Sequence, residues 1–166
     1  MSVFKTTFSR ALEVFPSDNA NIPFPNTIVA GVNTSIATDK LIDNTVDFIA
    51  LNIKEGDIVY NNSTGTGATV LRVNDASTLF LNADIFISSG EDYIVYQASS
   101  QTGIGNQGCY LYVGTSVDNA GYVKVTTIGG DIVTFNGILA GTVLPVQVIK
   151  LHFSGTVDVS NVRALW

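Results

Sequence analysis

Cysteine, histidine and tryptophan occur once each in the 166 residues, at Cys109, His152 and Trp166. A disulfide framework needs cysteine pairs and a Cys/His zinc cage needs several ligands, so neither is expected. Charge is also scarce. Charged side chains make up 13% of the chain, against roughly 25% in an average globular protein. Eight basic and fourteen acidic residues leave a formal charge of −6. With no basic stripe to displace phosphate counterions, nucleic acid is not an expected partner. The apolar runs are short, far from the ~20 residues a membrane-spanning helix needs, so membrane insertion is not expected either. The opening MSVFKTTFSR lacks the continuous apolar stretch of a secretory signal.

What is present favours strands. Hydrophobic residues are 46% of the chain, enough to exclude disorder from lack of apolar surface. Glycine, threonine, valine, isoleucine and asparagine dominate, and turn residues break the apolar runs every 8–12 residues or so. Strands are expected at Asp57–Asn61, Ala68–Val73, Thr78–Leu81, Tyr93–Gln97, Tyr110–Gly114, Tyr122–Thr127, Asp131–Phe135, Val146–Phe153 and Val162–Trp166. Gly129-Gly130 and Asn136-Gly137 supply the positive φ that tight hairpins need, and Thr126 to Phe135 reads as a hairpin. Gly65 to Gly67 reads as a second hairpin tip.

The organisation follows from two breaks in this pattern. The polar, glycine-rich stretch 98–108, ASSQTGIGNQG, has the composition of a connector. Residues 26–97 before it would form a small β-barrel-like module, because closure removes exposed edges. Residues 109–166 after it would form a second domain. At the start, Phe4, Phe8, Leu12 and Phe15 recur every three or four residues. The spacing would suit an amphipathic helix, but Thr6-Thr7 is a poor helix start, and an extended arm over residues 1–25 is the favoured reading. Trp166, a large apolar group at the chain end, argues for docking rather than fraying. These five residues, Phe4, Phe8, Leu12, Phe15 and Trp166, are the interaction candidates.

Motifs of chemistry are weak. GIGNQG at Gly103–Gly108 matches a dinucleotide fingerprint in form, but a strand follows it where the fingerprint needs a helix. Asp39, Asp43 and Asp47 sit four apart and would line one helix face. They lack the order of a calcium loop and read as solvated turn residues. Glu55, Asp57, Glu91 and Asp92 read as turn and strand-cap acids. His152 has no evident nucleophile, and Cys109 has no flanking positive charge to activate it. No metal, cofactor or catalysis is therefore expected. Tyrosines 60, 93, 96, 110, 112 and 122 could offer sugar-stacking faces if exposed on one sheet surface.

The segment from Cys109 resembles the spike base protein family of tailed bacteriophages and gene transfer agents. The resemblance is carried by LYVGT (Leu111–Thr115), GGD-x-VTF (Gly129–Phe135), AGT-x-LPV (Ala140–Val146), SGT (Ser154–Thr156) and the terminal ALW. VFPSDNANIP (Val14–Pro23) is similar to an element that lies close to these in the family. Here about 80 residues intervene. KLID (Lys40–Asp43), GDIVYN (Gly56–Asn61) and L-x-L-x-ADIF (Leu79–Phe86) within them are similar to a module of marine phage structural proteins. The resemblance implies an all-β chain with a jelly-roll-like β-sandwich joined by the N-terminal arm, and the barrel-like module inserted into it. It implies a non-enzymatic virion protein, made in the host cytoplasm and placed on the capsid exterior as a head decoration (cement) protein or spike base. Its partners would be the major capsid protein, copies of itself and a fibre protein. A glycan-binding host-adhesion module and a tail or baseplate component are the alternatives.

Overall fold

The computed structural model describes residues 7–98, 108–118 and 120–166, and every helix or strand among them is a strand. In chain order these are β1 (Ala11–Glu13), β2 (Thr27–Val32), β3 (Lys40–Ile42), β4 (Ile58–Asn61), β5 (Thr66–Asp75), β6 (Thr78–Leu81), β7 (Asp92–Tyr96), β8 (Tyr110–Ser116), β9 (Gly121–Thr127), β10 (Ile132–Ile138), β11 (Thr142–Val143), β12 (Val148–Leu151) and β13 (Val159–Leu165). They form three antiparallel sheets in two compact units. One unit takes Met1–Val14 and Gln107–Trp166, the other Phe15–Asn106.

The first unit is sandwich-like, with a four-stranded sheet in the order β1-β13-β8-β11 and a three-stranded sheet in the order β10-β9-β12. Side chains alternate across each strand, so every second residue can be buried. Leu111 and Val113 of β8, Val162 and Ala164 of β13, Val123 and Val125 of β9, and Val148 and Leu151 of β12 are all buried. Burying each Val or Leu contributes roughly 1.5–3 kcal/mol. The β9–β10 hairpin turns through Ile128–Gly130, where Gly130 takes φ 92° and its amide donates to the Thr127 carbonyl at 3.0 Å. Gly137 also has positive φ, but it forms a bulge within β10, where the register shifts between Asn136 and Ile138. It is not a hairpin tip.

The second unit is a six-stranded antiparallel sheet in the order β2-β7-β4-β5-β6-β3. Its outer strands meet just past the end of β2. The Thr34 amide donates to the Ile42 carbonyl at 2.8 Å, and Ser35 bridges Ile42. The sheet thus curls toward closure around Leu41, Phe48, Val59, Val70, Leu79, Leu81 and Tyr93. The chain reverses between β4 and β5 through Asn62–Gly65. Gly67, expected in that turn, lies in β5 beneath Tyr60, whose ring would stand 3.0 Å from an added Cβ.

The division between units falls at Val14/Phe15, eleven residues before the boundary read from composition. Contacts explain it. Phe15 packs on Tyr60 with ring centroids 4.9 Å apart. The Ser17 hydroxyl donates to the Gly67 carbonyl at 3.0 Å. The Phe24 amide donates to the Gln97 carbonyl at 3.1 Å.

Candidate docking surface

The two chain ends are laced together in the first unit. β1 pairs with β13 through Ala11–Leu165, Leu12–Ala164 and Glu13–Arg163. The Trp166 carbonyl accepts the Ser9 amide at 2.7 Å, and the Trp166 amide donates to the Arg10 carbonyl at 3.0 Å. Phe8 packs against Tyr110 at 5.6 Å between centroids. Arg163 Nη1 lies 3.0 Å from Glu13 Oε1, an ion pair without hydrogen-bond geometry, since that nitrogen is buried and has no hydrogen-bond partner. Of the five candidates from sequence, Phe8, Leu12 and Trp166 therefore share this unit, each half-buried. Phe15 belongs to the other unit. Phe4 lies outside the described residues.

A second surface of the same unit was not legible in sequence. On the outer face of the three-stranded sheet, Tyr122, Lys124 and Thr126 alternate with buried Gly121, Val123 and Val125. Register sets Ile132 and Lys150 beside Thr126, Thr134 beside Lys124, and Asn136 beside Tyr122. Val157 bridges Tyr122 from the other side. His152 Nε2 lies 2.8 Å from Thr126 Oγ1, and the next residue, Phe153, is 71% exposed. Ile132 is 63% exposed and Val157 50%. An added Cβ on Gly155 would meet Lys124 Cδ at 2.8 Å, so the glycine gives the lysine stem its resting place. These paired rows carry apolar groups and two lysines, and no carboxylate. Such a surface suits a partially apolar protein partner of neutral or acidic character.

The remaining chemistry-bearing residues are engaged in structure. Cys109 is buried, its thiol 3.5 Å from the Val148 carbonyl, and burial pushes its pKa up to about 12. It is a neutral thiol at physiological pH. The three aspartates share no helix. Asp43 is buried and accepts the Tyr93 hydroxyl at 2.7 Å and the Thr45 hydroxyl at 2.6 Å. Asp47 accepts the Ile49 and Ala50 amides, and Asp39 is exposed at φ 55°. Asp57 ties Lys54 and Ala98 amides at 2.8 and 3.0 Å. Glu91 accepts Asn61 Nδ2 and the Ile87 amide. Among the described residues no three His, Cys, Asp or Glu side chains are placed to hold a metal ion. Gly103–Gln107 of the glycine-rich motif lie outside the described residues. Tyr60, Tyr93 and Tyr96 are core residues, Tyr110 and Tyr112 are half-buried, and Tyr122 is exposed.

No protein-family profile, curated protein or solved structure matches the chain.

Proposed function

We propose that this chain is a non-enzymatic structural protein of a bacteriophage virion, carried on the capsid exterior as a decoration protein or spike base. It acts by docking many copies through modest protein–protein contacts. The sequence elements LYVGT, GGD-x-VTF and AGT-x-LPV support the family reading. The observation that carries the docking mechanism is the division of charge. The unit Phe15–Asn106 holds ten acidic and three basic residues, a formal charge of −7, while the other holds four acidic and five basic, +1. Repeated copies of a surface pack on a lattice with less self-repulsion where like charges are few. The near-neutral unit, through its Tyr122–Phe153 face, is the attachment surface.

The test is cosedimentation of the purified protein with phage heads lacking it. Phe153→Asp and Tyr122→Asp change exposed groups, so both variants should fold with an unchanged Tm. Each is expected to weaken head binding at least tenfold. Binding unchanged in the double variant overturns the proposed face, and no binding by the wild-type protein overturns the capsid reading. Immunolabelling that marks tails and spares heads would transfer the same mechanism to a tail or baseplate position.

A further inference from the structure

We propose that β10 is a strand-addition edge, and that its occupant is β10 of a second copy, paired antiparallel about a twofold axis. Open edges are templates for pairing, and folds normally shorten, cover or charge them. Here the other edge strands among the described residues are shorter than β10, and several are covered in part. The acidic unit brings its two outer strands together at Thr34–Ile42. β1 has three residues, with Glu13 set against Arg163. β11 has two. At Val148 the far side of β12 is taken by Cys109, which exchanges both backbone hydrogen bonds with it at 2.9 and 2.8 Å. β10 has seven residues and, among the described residues, pairs on one side alone, with β9.

The direction of its free backbone groups follows from the ladder. The Tyr122 amide donates to Val157 and the Lys124 carbonyl accepts from His152, so these residues of β9 bond away from β10. Alternation then assigns Val123 and Val125 to bonds with Phe135 and Val133, their register partners. Ile132, Thr134 and Asn136 direct their N–H and C=O groups outward.

A copy of the same strand fits this edge. Pairing centred on Thr134 joins Ile132 to Asn136 of the copy, Thr134 to its equivalent, and Asn136 to Ile132. On the inner face Val133 meets Phe135 twice, and both are only half-buried in the single chain. Ile132–Phe135 carries no charge, and Asp131 would face Gly137 rather than another carboxylate. The unit that holds this edge carries +1, so its own charge does not oppose the strand pairing. A strand pair this short buries less than the ~1,200 Å² of a stable interface. The dimer is therefore reversible and concentration-dependent.

The experiment is sedimentation of the full chain from micromolar to millimolar concentration, together with hydrogen exchange of the Ile132 and Thr134 amides. A reversible monomer–dimer equilibrium is expected, with those two amides slowing as concentration rises. Thr134→Pro removes an outward donor and no bond to β9, and it should raise the dimer dissociation constant at least tenfold. Ile132→Lys, a surface change tolerated by the fold, should do the same. A monomer at every concentration overturns the inference. So does a dimer that persists in both variants, or a closed trimer or pentamer whose formation leaves the two amides unprotected.

Discussion

Asp43 shows how much a single side chain contributes here, and why its role escapes a reading of spacing. Its neighbours at Asp39 and Asp47 align with it only on a helix, whereas β3 ends at Ile42 and sends Asp43 inward. Burial acts to raise its carboxyl pKa, but hydrogen bonds from the Thr45 hydroxyl, the Tyr93 hydroxyl and the Thr45 amide outweigh burial and hold it below the ordinary 3.8. The same contact, after burial itself, pushes the Tyr93 hydroxyl far above its usual range. Gly31 makes room for the pair, since an added Cβ would meet the Tyr93 hydroxyl at 2.8 Å. A folded-state pKa below the unfolded value stabilises at pH above the unfolded value of about 4, and that stability is lost as pH falls through the folded value. Asp43→Asn should therefore lower stability at pH 7 by about 1–3 kcal/mol. Urea melts from neutral to strongly acid pH should show the gap between variant and wild type closing below about pH 4. A gap that stays constant would mean Asp43 is not ionised in the native state. Cys109 gives a simpler check. A thiol with pKa near 12 should react with a disulfide reagent at pH 8 only as the protein unfolds, so the rate should rise with denaturant along the unfolding curve.

At the scale of elements, legibility tracked how locally a strand is determined. β6 falls at Thr78–Leu81, the limits read from sequence, and the β9–β10 hairpin was visible because Gly130 and the flanking alternation are signals within ten residues. β1, β2, β3 and β11 went unread. β1 is a strand only because Leu12 meets Ala164 and Ala11 meets Leu165, partners some 150 residues away that no window along the chain contains. The four-residue aromatic spacing of the arm was real, but it does not mark a face: Phe8 and Leu12 go to one unit and Phe15 to the other. The outer face around Tyr122 was hidden for a different reason. Alternation says which residues share a side of a strand, but not which side another sheet covers. The lacing of β1 has a measurable consequence. Leu12→Ala should cost roughly 1–3 kcal/mol, less than the 2–5 of a fully buried leucine, because the side chain is half-buried. The lone tryptophan reports it directly, since Trp166 shares backbone bonds with Ser9 and Arg10. Its emission should shift to the red in the variant at denaturant concentrations where the wild type is unchanged. Glu13→Gln, which touches a partly exposed ion pair, should change stability by less than about 1 kcal/mol.

For the whole molecule, the uneven distribution of charge decides more than its total. A formal −6 spread evenly would keep each face soluble and leave no face suited to close packing. Under the proposed docking, −7 on one unit and +1 on the other would separate these tasks. On a lattice, neighbouring copies would repel wherever their acidic units came within the Debye length of about 8 Å in physiological salt. Attachment through the acidic unit would press its like charges onto the lattice, a cost that attachment through the near-neutral unit avoids. Docking through the near-neutral unit would leave a spatial signature on the bound protein. Hydrogen exchange on head-bound chains, compared with free ones, should show slowed amides in β9, β12 and the Phe153–Val157 segment, with Phe15–Ala98 exchanging as it does in solution. Protection confined to Phe15–Ala98 would reverse the orientation and leave the charge division without a role in attachment. Protection of Ile132 and Thr134 in free and bound protein alike would show that the β10 pair forms before docking, so that copies reach the lattice two at a time.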